Sequence, residues 1–277
     1  MALHSLATMH CNLMTDIRIA KETEYQGIEI NGSKLRRYLS QGYSIESVRS
    51  ALEGLTPVGL TYVQDIERQA PDEYAALMKE CEEVCDWAEK LGGPMVQLLT
   101  GPLDPGGKYK GPVELSWPEQ RRLSAKNLRA LCEIGRKHRI RFFLEALTWT
   151  PLNKLDEILQ VVDATEQDNL GLVIDFWHLW DSGTTAEDIA KLDKNIIFYV
   201  HFCDSLERCG ERGTFEQKGR DVWTGGGRIP LKEWVDAVRA TGYEGPWSCE
   251  LLSPKYWELD PWKTARDLKR SLEYLLI

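Results

Sequence analysis

The sequence predicts an α/β fold, a (β/α)8 barrel, on three observations: eight short apolar runs, longer amphipathic segments between them, and no tract that breaks the alternation. The runs lie near 2–6, 27–30, 58–62, 95–99, 141–146, 172–175, 197–202 and 247–251. Each is brief, rich in Val, Ile, Leu or Phe, and closed by polar residues or glycine, as expected of parallel strands covered by helices. Eight is the number that closes such a barrel, and 277 residues suit a single barrel domain spanning 1–277. No linker, repeat or low-complexity stretch suggests a boundary within it.

Taken in chain order, the first two runs bracket His10, which falls in the loop after the first strand and is a candidate pocket residue. Ser44 is placed to cap a helix carrying Ile45, Val48, Leu52 and Leu55 on one face. A helix from about Asp72 ends at Gly92-Gly93-Pro94, a stop signal. The fourth strand carries Gln97, a second candidate for the pocket, although ordinary core polarity would also account for it. Ser116-Trp117-Pro118-Glu119 is a capping box with proline in the first turn, opening a helix whose Leu123, Ala130, Leu131 and Ile134 share a face. The last helix starts near Asp260-Pro261.

A formal charge of −9 repels phosphate backbones and anionic lipid, so neither nucleic acid nor membrane is an expected partner. Met1-Ala2-Leu3-His4 has no basic segment followed by an apolar one, no run of about 18 apolar residues occurs, and a cytoplasmic location is expected. Seven cysteines without close metal spacing read as reduced thiols. Cys81 and Cys85, four apart on a helix, read as packed side chains rather than ligands.

Four strand ends carry an ionisable residue inside an apolar stretch: Phe143-Leu144-Glu145-Ala146, Val173-Ile174-Asp175, Tyr199-Val200-His201-Phe202 and Ser248-Cys249-Glu250-Leu251. A buried charge without a partner costs several kcal/mol or loses its charge, so these groups need a shared compensator. They come from strands five to eight in succession, at the ends where barrel enzymes build their sites. One divalent metal ion held by Glu145, Asp175, His201 and Glu250 supplies that compensation; salt bridges to interior Lys or Arg are the alternative. Mn is the expected ion, with Mg, Co or Zn open, because oxygen-rich ligation does not choose among them.

Other residues are candidates for holding a substrate. His178, three residues after Asp175, is placed to meet a substrate oxygen above the metal, the alternative being a loop cap. Arg220, at the head of Arg220-Asp221-Val222-Trp223-Thr224-Gly225-Gly226-Gly227, is suited to a bidentate clamp, though an exposed surface arginine would look the same. The glycines at 225–227 lack the strand and Lys-Ser/Thr of a phosphate cradle and read as a flexible turn. Trp149, Trp177, Trp180, Trp223 and Trp257 fall near the strand-end loops, where they would form an aromatic rim for a sugar or an aglycone; plain core tryptophans are the alternative.

Asp168-Asn169-Leu170-Gly171-Leu172-Val173-Ile174-Asp175 with His178, Asp221-Val222-Trp223 before the glycines, and Ser248-Cys249-Glu250-Leu251-Leu252-Ser253-Pro254-Lys255-Tyr256 resemble segments of the xylose-isomerase-like TIM barrels, within them the 2-keto-myo-inositol (inosose) isomerase group. The similarity extends weakly from Tyr25 to the C-terminus. It implies metal ligation by Glu145, Asp175, His201 and Glu250 and substrate contacts by His178 and Arg220. Ketohexose 3-epimerases of this superfamily carry a substrate-binding glutamate six residues after the first ligand; Pro151 stands there, which disfavours a free ketohexose. The abasic-site endonuclease branch uses three zinc ions and many histidines, and only five are present.

The chemistry expected is proton abstraction alpha to a carbonyl through an enediolate, eased by the cation, with Glu145 and Glu250 as the catalytic pair that takes and returns the proton. That yields an isomerase or epimerase of a keto-sugar or keto-polyol. A leaving group on the next carbon would make the same site a dehydratase or a β-eliminating lyase of keto-glycosides; for such a lyase the resemblance implies a small partner subunit. A non-catalytic sugar-binding barrel is a further alternative, from which loss of the ligands would be expected. The resemblance implies a homo-oligomer.

Overall fold

The apolar runs pair in parallel and close on themselves in the computed structural model, which describes residues 1–101, 110–150, 152–208 and 218–277. The strands are β1 (Ala2–His4), β2 (Gly27–Asn31), β3 (Thr56–Val63), β4 (Met95–Leu99), β5 (Arg141–Glu145), β6 (Leu170–Asp175), β7 (Ile197–Phe202) and β8 (Trp247–Cys249). Ala2 is in register with Gly27 on one side and Ser248 on the other, which seals the barrel. The helices among the described residues are α1 (Leu13–Glu22), α2 (Gly32–Ser40), α3 (Ile45–Ala51), α4 (Pro71–Leu91), α5 (Trp117–Lys137), α6 (Leu155–Thr165), α7 (Phe176–Asp181), α8 (Ala186–Ala190), α9 (Leu231–Ala240), α10 (Pro254–Trp257) and α11 (Pro261–Leu276). None of the described helices is long and apolar enough to cross a membrane.

Helix boundaries follow local chemistry. Ser44 caps α3 by accepting from the Ser47 N–H, Gly92 ends α4 in the left-handed conformation at φ +78°, and the Asp260 carboxylate caps α11. The capping box at Ser116 and Glu119 opens α5. The buried face of α5 differs from the expected one: Ser124, Ala125, Asn127, Leu128, Leu131, Cys132 and Gly135 face inward, and of the four residues named only Leu131 is fully buried. The face turns because Asn127 serves as a bracket. Its side-chain NH2 donates to the Ile66 and Arg68 carbonyls at 2.7 and 2.9 Å, which hydrophobicity alone does not reveal.

Alternation along the strands sorts two layers inside the barrel. Met95, Phe143, Val173, Phe198 and Tyr199 form a cluster separate from the main core, with Phe143 and Tyr199 stacked at 4.9 Å. Two residues further along, the same inward rows carry Gln97, Glu145, Asp175 and His201. An apolar plug therefore floors a polar layer and keeps water from reaching it from below.

The turn that follows His4 is fastened from outside. Lys34 Nζ donates to the Ser5 and Thr8 carbonyls at 2.9 Å each and to Asp16 Oδ2 at 2.7 Å, while Asp16 Oδ1 accepts from Thr8 Oγ1 at 2.7 Å. Both side chains are buried, so removing one leaves the other charge without a counterion. Lys34→Met is expected to destabilise the fold by about 3–5 kcal/mol in urea titration; a change under about 1 kcal/mol would mark the pair as no stronger than a surface contact.

Candidate metal centre

Glu145 closes β5, Asp175 closes β6, His201 lies on β7, and Glu250 follows β8 with its backbone N–H still bonded to the Phe202 carbonyl at 3.1 Å. Period-two alternation turns all four inward, and none is more than 5% exposed. His201 Nδ1 stands 3.3 Å from Glu145 Oε1 and 3.5 Å from Asp175 Oδ2. Glu250 Oε2 accepts from Arg220 Nη2 at 2.7 Å, and Asp175 and Glu250 offer oxygens within a further ligand-spaced group that includes Cys203. The four predicted ligands are thus brought together by the structure.

Their surroundings are asymmetric. Gln97 Nε2 donates to Glu145 Oε2 at 3.0 Å, a neutral hydrogen bond, whereas Glu250 meets a guanidinium. Arg220 is itself buried and lies over the Trp177 ring at 4.3 Å, so the exposed-surface alternative for this arginine is excluded. Burial pushes the Glu145 carboxyl up to about 7 despite His201, and Asp175 and Glu250 add to the rise. Burial also opposes ionisation of Asp175, yet His178, His201 and Arg220 together hold that carboxyl below the usual range. His201 is pushed well above an ordinary imidazole, for burial is outweighed by Glu29, Asp175 and Glu145.

His178 is pushed down to about 3, chiefly by burial, with Asp175 opposing and Arg220 adding to the fall. It is therefore neutral, and its tautomer follows from its contacts: Nδ1 accepts the Thr148 N–H at 3.2 Å, leaving the proton on Nε2, 4.0 Å from Glu145 Oε1. The backbone N–H of His178 also bonds Asp175 Oδ1 at 2.7 Å, holding that carboxylate in place. His10 is elsewhere: it is exposed, 3.4 Å from Glu258 and edge-on to Trp257 at 5.9 Å.

The donor set passes a test for a cation. Among the described residues, His201 Nδ1 is buried without a hydrogen bond although two carboxylates stand near it. Four buried carboxylates, Glu29 included, are gathered around Arg220 and His201, an excess of negative charge that one divalent ion would reduce. Oxygen and imidazole donors in this proportion suit Mn, Mg, Co or Zn.

The structure adds residues to the site that the strand-end pattern did not bring forward. Glu29 on β2 and His4 at the end of β1 are buried beside His201, with Glu29 Oε1 3.2 Å from His201 Nε2 and 3.5 Å from His4 Nε2. The same signal was present, an ionisable residue inside Gly27-Ile28-Glu29-Ile30. Cys203 lies 3.6 Å from Asp175 Oδ2, and burial, with Asp175, raises its thiol well above the usual range. The glycine turn is tied down rather than flexible. Asp204 Oδ2 accepts from Gly225 and Gly227 at 2.9 and 2.8 Å, and a Cβ on Gly227 would stand 2.3 Å from Asp204 Oδ1. Of the expected aromatic rim, Trp177 is fully buried beneath Arg220, while Trp149 lies edge-on to His178 at 5.2 Å and Trp223 to Tyr256 at 5.2 Å. Pro151 lies outside the described residues. Cys81 and Cys85 are packed in the core, Sγ to Sγ 3.9 Å.

A family model described as xylose isomerase-like TIM barrel matches residues 17–276. An inosose isomerase of Halalkalibacterium halodurans is 26% identical over 264 residues, covering 92% of this chain and 89% of that protein. A 3-dehydroshikimate dehydratase of Pseudomonas aeruginosa is 30% identical over 252 residues, 91% of this chain but 38% of that protein. Among solved structures, the IolI protein with a bound zinc atom superposes with TM-score 0.88 at 21% identity, covering 99% of this chain and 97% of that one. A D-psicose 3-epimerase of Clostridium cellulolyticum H10 does so with TM-score 0.77 at 16% identity, covering 99% and 98%.

An ion that binds only the folded site stabilises it by mass action. Manganese at about 100 times its dissociation constant is expected to add about 2.7 kcal/mol and raise Tm relative to protein in chelator. An unchanged Tm across manganese, magnesium, cobalt and zinc would argue against a metal centre.

Proposed function

The chain belongs to the xylose isomerase-like TIM barrel family, and from that membership and the geometry of its site we propose that it is a divalent-metal-dependent isomerase of a keto-polyol, of the inosose type. The observation that carries the reading is the buried, hydrogen-bond-free Nδ1 of His201 facing Glu145 and Asp175, with Glu250 on the neighbouring strand. In this reading Glu145, Asp175, His201 and Glu250 hold one ion, manganese by preference. The zinc of the IolI structure belongs to that protein and supports a divalent ion in general terms.

The bound cation supplies electrophilic stabilisation to the oxyanion that develops when a proton leaves the carbon beside a carbonyl. The chain's own groups do the rest. His178 presents a neutral Nε2–H toward the site, a donor for a substrate hydroxyl that does not compete for the proton in transit. Arg220 donates to Glu250 from one side, while Gln97 gives Glu145 a neutral hydrogen bond. Glu145 and Glu250, facing each other from β5 and the end of β8, are the pair placed to move the proton. Between them they take the proton from one carbon and return it to its neighbour. The enzyme works in the cytoplasm in this reading, in keeping with the buried, unpaired Cys81, Cys85, Cys132, Cys203 and Cys249.

A second reading, dehydration of a keto-polyol, is favoured by the 30% identity to the Pseudomonas aeruginosa dehydratase. One experiment separates the two. Manganese-loaded protein incubated in D2O with keto-inositols, ketoses and 3-keto-glycosides is expected to place deuterium in a keto-inositol with its skeleton otherwise conserved, by mass spectrometry and NMR. Loss of water would transfer the protein to the dehydratases, and no exchange on any substrate would contradict both readings. Glu145→Gln and Glu250→Gln are each expected to lower turnover roughly 10²–10⁴-fold; a variant that keeps wild-type turnover would remove that residue from the catalytic pair.

A further inference from the structure

Glu29 is fully buried inside the barrel and stands behind the four donors rather than among them. Its Oε1 is hydrogen-bonded to His201 Nε2 at 3.2 Å, whereas the other ring nitrogen, Nδ1, is turned toward Glu145 Oε1 at 3.3 Å and Asp175 Oδ2 at 3.5 Å. A neutral imidazole has one protonated nitrogen and one lone pair, and the partner of the first decides where the second points. A carboxylate can only accept, so its presence at Nε2 requires a proton there, and Nδ1 is the nitrogen left to offer its lone pair to a cation, in exchange for the proton that Glu145 and Asp175 favour on it in the metal-free site.

The neighbouring histidine reinforces the assignment. His4 Nδ1 accepts the Leu6 N–H at 3.0 Å, so its proton is on Nε2, which stands 3.5 Å from Glu29 Oε1 and 3.8 Å from Glu250 Oε1. Glu29 Oε1 is thus approached by N–H groups from two rings. Its second oxygen, Oε2, meets no partner at full hydrogen-bond geometry among the described residues, with the Ser248 and Tyr199 hydroxyls beside the carboxylate.

We propose that Glu29 is a positioning residue that, backed by His4, holds His201 with its proton on Nε2 and its Nδ1 lone pair aimed at the cation. This rests on the metal-dependent reading above. Glu29 raises metal affinity without touching the metal, as second carboxylates behind ligating histidines do.

The test uses the full chain labelled with 15N-histidine and loaded with zinc, which is diamagnetic. Long-range 1H–15N correlations are expected to show His201 protonated at Nε2 and metal-bound at Nδ1; a proton on Nδ1 overturns the inference without any substitution. In parallel, Glu29→Gln is expected to weaken zinc and manganese binding roughly 10–100-fold in chelator competition, with substrate KM at saturating metal little changed. A merely structural Glu29 would instead lower the Tm of the metal-free protein and leave the affinity of the folded protein as it was, which also overturns it. Wild-type protein that takes up no metal overturns the proposed function and this inference together, whereas metal binding unaffected by Glu29→Gln overturns this inference alone.

Discussion

Burial of like charges governs this barrel. Glu29, Glu145, Asp175 and Glu250 are nearly inaccessible and share a small volume in which the Arg220 guanidinium and the His201 ring are the cationic groups among the described residues, an arrangement that desolvation and mutual repulsion both disfavour. Everything around them serves to make it tolerable. Hydrogen bonds from Gln97, Arg220 and the His178 backbone reach the three predicted ligand carboxylates, and the inner apolar layer of Met95, Phe143, Val173 and Tyr199 fixes the rows on which they stand. What remains uncompensated after these contacts is the charge that a divalent ion would meet.

Three imidazoles divide the work according to what each ring nitrogen touches. Burial makes His178 neutral, and the Thr148 N–H aims its remaining proton into the site. His4 is oriented by Leu6 toward Glu29, and burial likewise lowers its pKa. His201, ringed by carboxylates, is driven the other way. One residue type thus supplies a donor, a brace and a ligand, distinguished by backbone contacts and by neighbouring charge. Glu29 joins the last two, carrying carboxylate chemistry at one remove from the reacting atoms.

Much of this was legible from the chain alone, for identifiable reasons. Glu145, Asp175, His201 and Glu250 interrupt long apolar stretches, so their cost is visible without coordinates, and eight runs imply a barrel that brings consecutive strand ends together. Glu29 and His4 carry the same signal more faintly: β1 has three residues, and Gly27-Ile28-Glu29-Ile30 reads as ordinary alternation with one polar face. The buried side of α5 was misplaced because Asn127 is held inward by carbonyls 61 and 59 residues away. For the same kind of reason the glycine turn looked loose, since its anchor is Asp204, outside the turn itself. Contacts distant in sequence decide such positions, and local pattern does not carry them.

The claim at the centre of this account is that one divalent cation lies among Glu145, Asp175, His201 and Glu250. Crystals grown with manganese and measured for anomalous scattering test it directly. The account requires one strong peak bounded by carboxylate oxygens of the three acids and by Nδ1 of His201. A peak bounded instead by His4 and Glu29, or an occupied lattice with no peak inside the barrel, would contradict it.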